Sequence, residues 1–164
     1  MKNEKLNSVK SSVCESFIKE LSQELKIVFE TRENVSFMRG VQQGNKVKRK
    51  ELFLSTLYVS KNIGYEISFI PNSDDSVELW KINVKNRGNG FGTKLMETIL
   101  DVSDKTGVKI KLVPMNYDVD ENSPKNYLQK LKNWYWGLGF DRSKFPTIDP
   151  YYTYFPNENN RMVG

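Results

Sequence analysis

The chain has 164 residues, 38% hydrophobic and 27% charged, with 25 lysines and arginines against 20 acidic residues and a formal charge of +5. That length favours one domain spanning residues 1–164, and the balance of apolar and charged residues is that of a globular protein rather than a disordered one. Histidine is absent and Cys14 is the only cysteine, which excludes Ser-His-Asp and Cys-His catalysis, histidine-bound metals, thiolate zinc clusters and intrachain disulfides.

No stretch has the apolar run of a signal peptide or a membrane span, and a single cysteine suits a reducing compartment. The expectation is a cytoplasmic protein that uses no metal and meets no membrane. Its mild positive charge suits an anionic ligand or a nucleic acid without requiring either.

In chain order, Leu6, Val9, Val13, Phe17, Leu21 and Leu25 recur at three- and four-residue spacings, which predicts an amphipathic helix over residues 6–30. Cys14 falls among Val13, Phe17 and Ile18 on its apolar face, the place of a buried thiol rather than a nucleophile. "NVSFMRGV" (34–41) follows, then the basic "NKVKRKE" (45–51). Charges between two strands usually make a solvated loop, although such a cluster can also touch a phosphate backbone.

Residues 52–59, 63–70 and 77–84 read as strands, with "PNSDDS" as a turn. Within the last of these the alternation breaks at the adjacent Leu79 and Trp80, which predicts a β-bulge. Gly88, Gly90 and Gly92 come next, followed by a helix from Thr93 to Lys105, a stop at Gly107 and a strand over 108–114. The acidic "DVDENS" segment has Asp118, Asp120 and Asn122 spaced like a calcium loop. Ser123 replaces the glycine at its sixth position and Gln129 the glutamate at its twelfth, so it is not an EF-hand. Ser123-Pro124 reads as the cap and first position of a helix carrying Tyr127, Leu131, Trp134, Tyr135 and Leu138 and ending at Gly139. The C-terminal "YYTYFP" (151–156) reads as a short aromatic strand. A strand, glycine turn, helix and strand over 77–113 imply one parallel crossover in an otherwise antiparallel sheet.

The glycines fit none of the commoner phosphate loops. Thr93 stands where a dinucleotide fingerprint needs its third glycine, and Gly92-Thr93-Lys94 is the wrong order for a P-loop. What remains is Arg87-x-x-Gly90-x-Gly92 between a strand and a helix, open as well to the reading of a tight turn that merely uses glycine. Such a junction suits an anion, because the first N–H groups of a helix have no partner within it and the helix dipole adds positive charge there. Lys85, Arg87 and Lys94 add more.

In this motif the chain resembles the GNAT superfamily of N-acetyltransferases, whose acetyl-CoA signature is Arg/Gln-x-x-Gly-x-Gly/Ala after a strand. A second stretch, "NWYWGLGF" (133–140), is similar to the family's Phe-Tyr-x-x-x-Gly-Phe at the end of its last helix, with Trp134-Tyr135 as the aromatic pair and Gly139-Phe140 closing. The two motifs cover residues 77–140. The resemblance implies a GNAT fold, a mixed and mostly antiparallel sheet with one splayed parallel pair and flanking helices. It implies acetyl-CoA as cosubstrate, held by the main chain of Ile82 and Val84 and by Arg87, Gly88, Asn89, Gly90, Phe91, Gly92 and Thr93. It implies Tyr135 as the proton donor to the departing thiolate and Glu78 as the base, and direct attack of a primary amine on the thioester.

The charge pattern favours a small-molecule or protein amine over nucleic acid as acceptor. The other readings are a non-catalytic module of the same fold that binds acyl-CoA or a protein partner, and a toxin-type acetyltransferase acting on charged tRNA. The acceptor, the acyl length and the oligomeric state are not written in either motif.

Overall fold

A computed structural model describes residues 12–43, 46–72, 74–85, 90–113, 127–142 and 152–157. Helix α1 (Ser12–Leu25) buries Cys14, Phe17, Ile18 and Leu21 along one face, as the spacing predicts. It stops at Leu25 and does not run to residue 30. Lys26 turns left-handed, with φ of 55°. Its N–H donates to the Gln23 carbonyl, and the Ile27 N–H to the Ser22 carbonyl. That is a Schellman cap built without glycine, so no residue type marks it in the sequence. Leu6 and Val9 lie outside the described residues. The Cys14 thiol is buried and donates to the Ser76 carbonyl at 3.4 Å.

Among the described residues seven strands form one sheet in the order β1-β2-β3-β4-β5-β7-β6. They are β1 (Glu30–Gln43), β2 (Lys46–Lys61), β3 (Tyr65–Pro71), β4 (Ser76–Val84), β5 (Lys109–Leu112), β6 (Asp141–Arg142) and β7 (Tyr152–Tyr154). β4 and β5 run parallel, joined through helix α2 (Phe91–Thr106), and every other neighbouring pair is antiparallel. The expected mixed, mostly antiparallel sheet with one parallel crossover is therefore what forms. Gly107, with φ of 78°, ends α2, and its N–H returns to the Ser103 carbonyl.

The basic stretch corrects one expectation. Residues 46–50 are not a loop; they open β2 and pair with β1 from Gly40 to Gln43. Charge shows that a segment meets water, but not whether a neighbouring strand satisfies its backbone. β6 was not anticipated either, since two residues carry no period. Helix α3 (Tyr127–Gly137) ends two residues before Gly139. Its expected cap at Ser123-Pro124 and the "DVDENS" segment lie outside the described residues.

α1 and α2 cover one face of the sheet. Phe17 meets the ring of Phe69 edge to face at 5.4 Å, and Val77, Leu79, Met96, Ile99 and Ile110 fill the layer between. Phe17 is fully buried; truncating it to alanine would cost about 3–5 kcal/mol. Among the described residues no helix is long and apolar enough to cross a membrane, and no group of three or more Cys, Asp or Glu is arranged to hold a metal ion.

Candidate active site

The bulge predicted at Leu79-Trp80 is present. Phe69 faces Leu79 and Ser68 faces Lys81, so Trp80 is the extra residue of β4. Its indole lies edge to face with Phe37 at 4.9 Å, and Phe37 stacks on Phe53 at 5.4 Å, on the sheet face away from α1 and α2. A bulge bends a strand and increases its twist. β4 changes partners at the same place. The β4–β5 ladder runs Ser76↔Lys109, Val77↔Ile110 and Glu78↔Lys111, whereas β4 continues to Val84. Among the described residues no ladder partner lies on the β5 side of β4 beyond Glu78.

Which main-chain groups face that gap follows from two hydrogen bonds. At the start of β4 the Ser76 carbonyl accepts from Asn72 N–H at 2.9 Å, and just past its end Lys85 N–H donates to the Gly64 carbonyl at 3.0 Å. Backbone polar groups of successive strand residues point to alternate sides. Lys85 looks toward the β3 side, and so does Asn83. Ile82 and Val84 therefore direct N–H and C=O the other way, into the gap.

The gap leads to the N-terminus of α2. Gly90 is the cap residue, left-handed with φ of 79°, and the first bond within the helix is Lys94 N–H to the Gly90 carbonyl at 3.1 Å. The N–H groups of Phe91, Gly92 and Thr93 precede that bond and have no acceptor inside the helix. Gly90 is needed for its conformation, since a Cβ there would meet nothing within 4 Å yet would be strained at this φ. A Cβ on Gly92 would sit 3.8 Å from Val84 Cγ2, so the end of β4 and the first turn of α2 are in contact. Tyr65, opposite Val84 in the ladder, lies 5.5 Å from the Phe91 ring. Burial raises the Tyr65 pKa. Lys85 and Lys94 are exposed at this end.

α3 reaches the same place. Trp134 Nε1–H donates to Thr93 Oγ1 at 3.3 Å. The next residue, Tyr135, is 5% exposed and its ring packs between Trp134 (4.9 Å) and Phe140 (5.5 Å). Nothing in residues 133–140 announces the indole-to-hydroxyl bond; Trp134 is legible in the sequence only as an aromatic.

Glu78 is 4% exposed and is the last β4 residue paired with β5. Val77 and Leu79 on either side join the core cluster that also contains Tyr135, so Glu78 points to the opposite face of the sheet. Its ladder partner Lys111 extends to Asp74 at 2.8 Å, and Ser76 also donates to Asp74. Burial opposes ionisation of Asp74, but the Lys111 and Ser76 hydrogen bonds outweigh it and bring its pKa to about 2.

Ile82, Val84, Gly90, Phe91, Gly92 and Thr93 thus converge where β4 leaves β5 and α2 begins, with Trp134 and Tyr135 beside them. Glu78 stands where the pairing ends, across the sheet from Tyr135. Arg87, Gly88 and Asn89 lie outside the described residues. The arrangement offers an extended chain a strand edge with no ladder partner among the described residues, and offers an anion the N-terminal turn of α2, whose cap residue Gly90 makes no side-chain cap hydrogen bond.

No protein-family model and no curated protein matches the chain. Among solved structures, the crystal structure of the anti-CRISPR protein AcrVA5 is similar with a TM-score of 0.46 and 18% identity, over 60% of this chain and 97% of the other. A likeness at that level carries no functional information.

Proposed function

We propose that the chain is an acetyl-CoA-dependent N-acetyltransferase of the GNAT type, acting on a primary amine of a small molecule or a protein. The observation that carries this reading is the end of the β4–β5 ladder at Glu78, close to the N-terminus of α2 that begins at the left-handed Gly90. An amide-bearing pantetheine arm can pair with Ile82 and Val84 as an added strand, and the pyrophosphate then falls at the N–H groups of residues 91–93. The two sequence motifs, Arg87-x-x-Gly90-x-Gly92 and Trp134-Tyr135 with Gly139-Phe140, support the same assignment.

In this reaction the amine nitrogen attacks the thioester carbon, the C–S bond breaks, and the amide and free thiol are the products. The nitrogen gives up a proton to Glu78, directly or through water, and the departing thiolate takes one from the Tyr135 hydroxyl. A phenol, with an ordinary pKa of about 10, is a suitable donor to a thiolate. No metal is required for any of these transfers.

The burial of Tyr135 among aromatic rings favours a second reading, in which the fold binds acyl-CoA and transfers nothing. Calorimetry with CoA followed by free-thiol release from acetyl-CoA over a panel of amines separates the two. Tight CoA binding with amine-dependent thiol release supports transfer, binding without release supports the second reading, and no binding overturns both.

A further inference from the structure

The two ends of helix α2 are joined by a line of contacts that runs outside the helix. Asp104, buried near its C-terminal end, accepts a hydrogen bond from the Tyr154 hydroxyl at 2.9 Å and another from the Asn157 N–H at 2.7 Å. The Tyr154 ring lies 5.8 Å from that of Phe140, Phe140 lies 5.5 Å from Tyr135, and Tyr135 lies 4.9 Å from Trp134. Trp134 then returns to the first turn of α2 through its bond to Thr93. Between Thr93 and Asp104 the helix rises about 16 Å.

More than ring packing joins these residues. The Phe140 N–H donates to the Tyr135 carbonyl at 3.1 Å, so the two are connected through the backbone as well. Gly139 between them is left-handed, with φ of 102°, and a Cβ there would sit 3.4 Å from Tyr154 Cε2, so the phenol ring lies against the chain at the turn after α3. Burial and the Asp104 carboxylate raise the Tyr154 pKa, so its hydroxyl keeps its proton and remains the donor. Tyr135 is thus held between two aromatic neighbours, Trp134 tied to α2 directly and Phe140 tied to it through Tyr154.

We propose that Tyr154 is a positioning residue for Tyr135: its hydroxyl, anchored on Asp104, fixes Phe140 and with it the placement of the Tyr135 ring relative to α2. The consequence for turnover rests on the reading of Tyr135 as proton donor to the departing thiolate; the placement itself does not. A proton donor must stand within hydrogen-bond reach of its acceptor, and a displacement of about 1 Å caused far from the reacting atoms can lower a rate by up to about 10²-fold. Without its hydroxyl the Tyr154 ring loses its tie to Asp104, whereas the Trp134–Thr93 bond still holds the other end. Turnover should therefore suffer and cofactor binding should not.

The test is Tyr154→Phe in the full chain, which keeps the ring and removes only the hydroxyl. The kcat for amine-dependent thiol release should fall about tenfold, with KM for acetyl-CoA and the calorimetric Kd for CoA unchanged. Asp104→Asn retains an acceptor oxygen for Tyr154 and should keep kcat within a few-fold of wild type. In a Tyr135→Phe background, Tyr154→Phe should cause no further loss, because both act through one hydroxyl. An equal further loss in that background, an unchanged kcat in the single variant, or a matching loss of CoA affinity would overturn the proposal. The placement is also read without turnover, from the indole N–H resonances in a nitrogen-labelled sample. That of Trp134, identified by its disappearance in Trp134→Phe, should shift in Tyr154→Phe because the ring beside it moves. The Trp80 indole, on the opposite face of the sheet, should stay. A shift without thiol release from any amine would sink the catalytic reading and leave the placement standing, whereas an unmoved Trp134 indole would overturn the proposal whatever the turnover.

Discussion

The bond from Trp134 to Thr93 ties the last helix to the first turn of α2, and cutting it from either side has a predictable result. At 3.3 Å it is long for an N–H···O contact, and it is partly buried; its net worth to the fold is about 0.5–1 kcal/mol. The indole occupies a lone pair of the Thr93 oxygen and leaves the hydroxyl hydrogen to donate elsewhere. Beside the N–H groups of Phe91 and Gly92 the fitting acceptor is a pyrophosphate oxygen. A hydrogen bond to a charged acceptor is worth about 1.5–3 kcal/mol, which is roughly 10- to 10²-fold in Kd. Thr93→Val keeps the shape of the side chain and should lose CoA affinity by that factor, for about 1 kcal/mol of stability. Trp134→Phe keeps the ring against Tyr135 but frees the hydroxyl to rotate, so a several-fold loss is expected. Because both act through one oxygen, the double variant should bind no worse than Thr93→Val alone. Isothermal titration calorimetry with CoA and with pantetheine, which has no pyrophosphate, is the measurement. Equal losses for both ligands would mean general damage, and unchanged CoA binding would mean that the hydroxyl never meets the phosphates.

Gly90→Val should cost about 1–2 kcal/mol in denaturant midpoint through its left-handed conformation, and should abolish CoA binding because its side chain enters the open space in front of the helix. Tyr135→Phe, losing only the hydroxyl, should leave CoA affinity intact and lower kcat by about 10²-fold or more; an unaltered kcat assigns Tyr135 to packing. Glu78→Gln should slow turnover most at low pH, where the amine is protonated, and a wild-type pH–rate profile would move the base to water. The lowered pKa of Asp74 makes its contribution to stability complete above about pH 5 and lost as pH falls from 3.8 through about 2. Because its side chain is 45% exposed, the contribution is discounted to about 1 kcal/mol or less. Melts of Asp74→Asn and wild type should therefore differ at pH 6 and coincide near pH 2.

The parts of this fold that were legible in the sequence are those where period and chemistry agree. The alternation in β4 and its single lapse at Leu79-Trp80 located a bulge, and the glycine junction located the start of α2. Helix α1 was legible along its length but not at its end, because Lys26 adopts a conformation that composition assigns to glycine. The start of β2 was missed for a different reason. Its residues between 45 and 51 are polar enough for a loop, and only the register with β1 reveals the strand. Of the site, the main chain of Ile82 and Val84 and residues 90–93 was within reach of motif reading. The bond from Trp134 to Thr93 was not, since it joins residues 41 positions apart through a hydroxyl and an indole that each look ordinary alone.

Trp80 has a consequence for how this protein can evolve. Leu79 and Ile82 both belong to the interior, with one more residue between them than regular alternation allows. A chain without Trp80 would pair the same neighbours, Leu79 with Phe69 and Lys81 with Ser68, in an unbroken ladder that hides the same side chains. Deletion would remove the ring contact with Phe37 together with the bulge. The pairing of the neighbouring residues does not by itself require the insertion. Descendants free of any demand at the opening between β4 and β5 would be expected to lose it by a single-codon deletion and straighten the strand. Those still under that demand would tolerate other large side chains at this position far more readily than a missing residue.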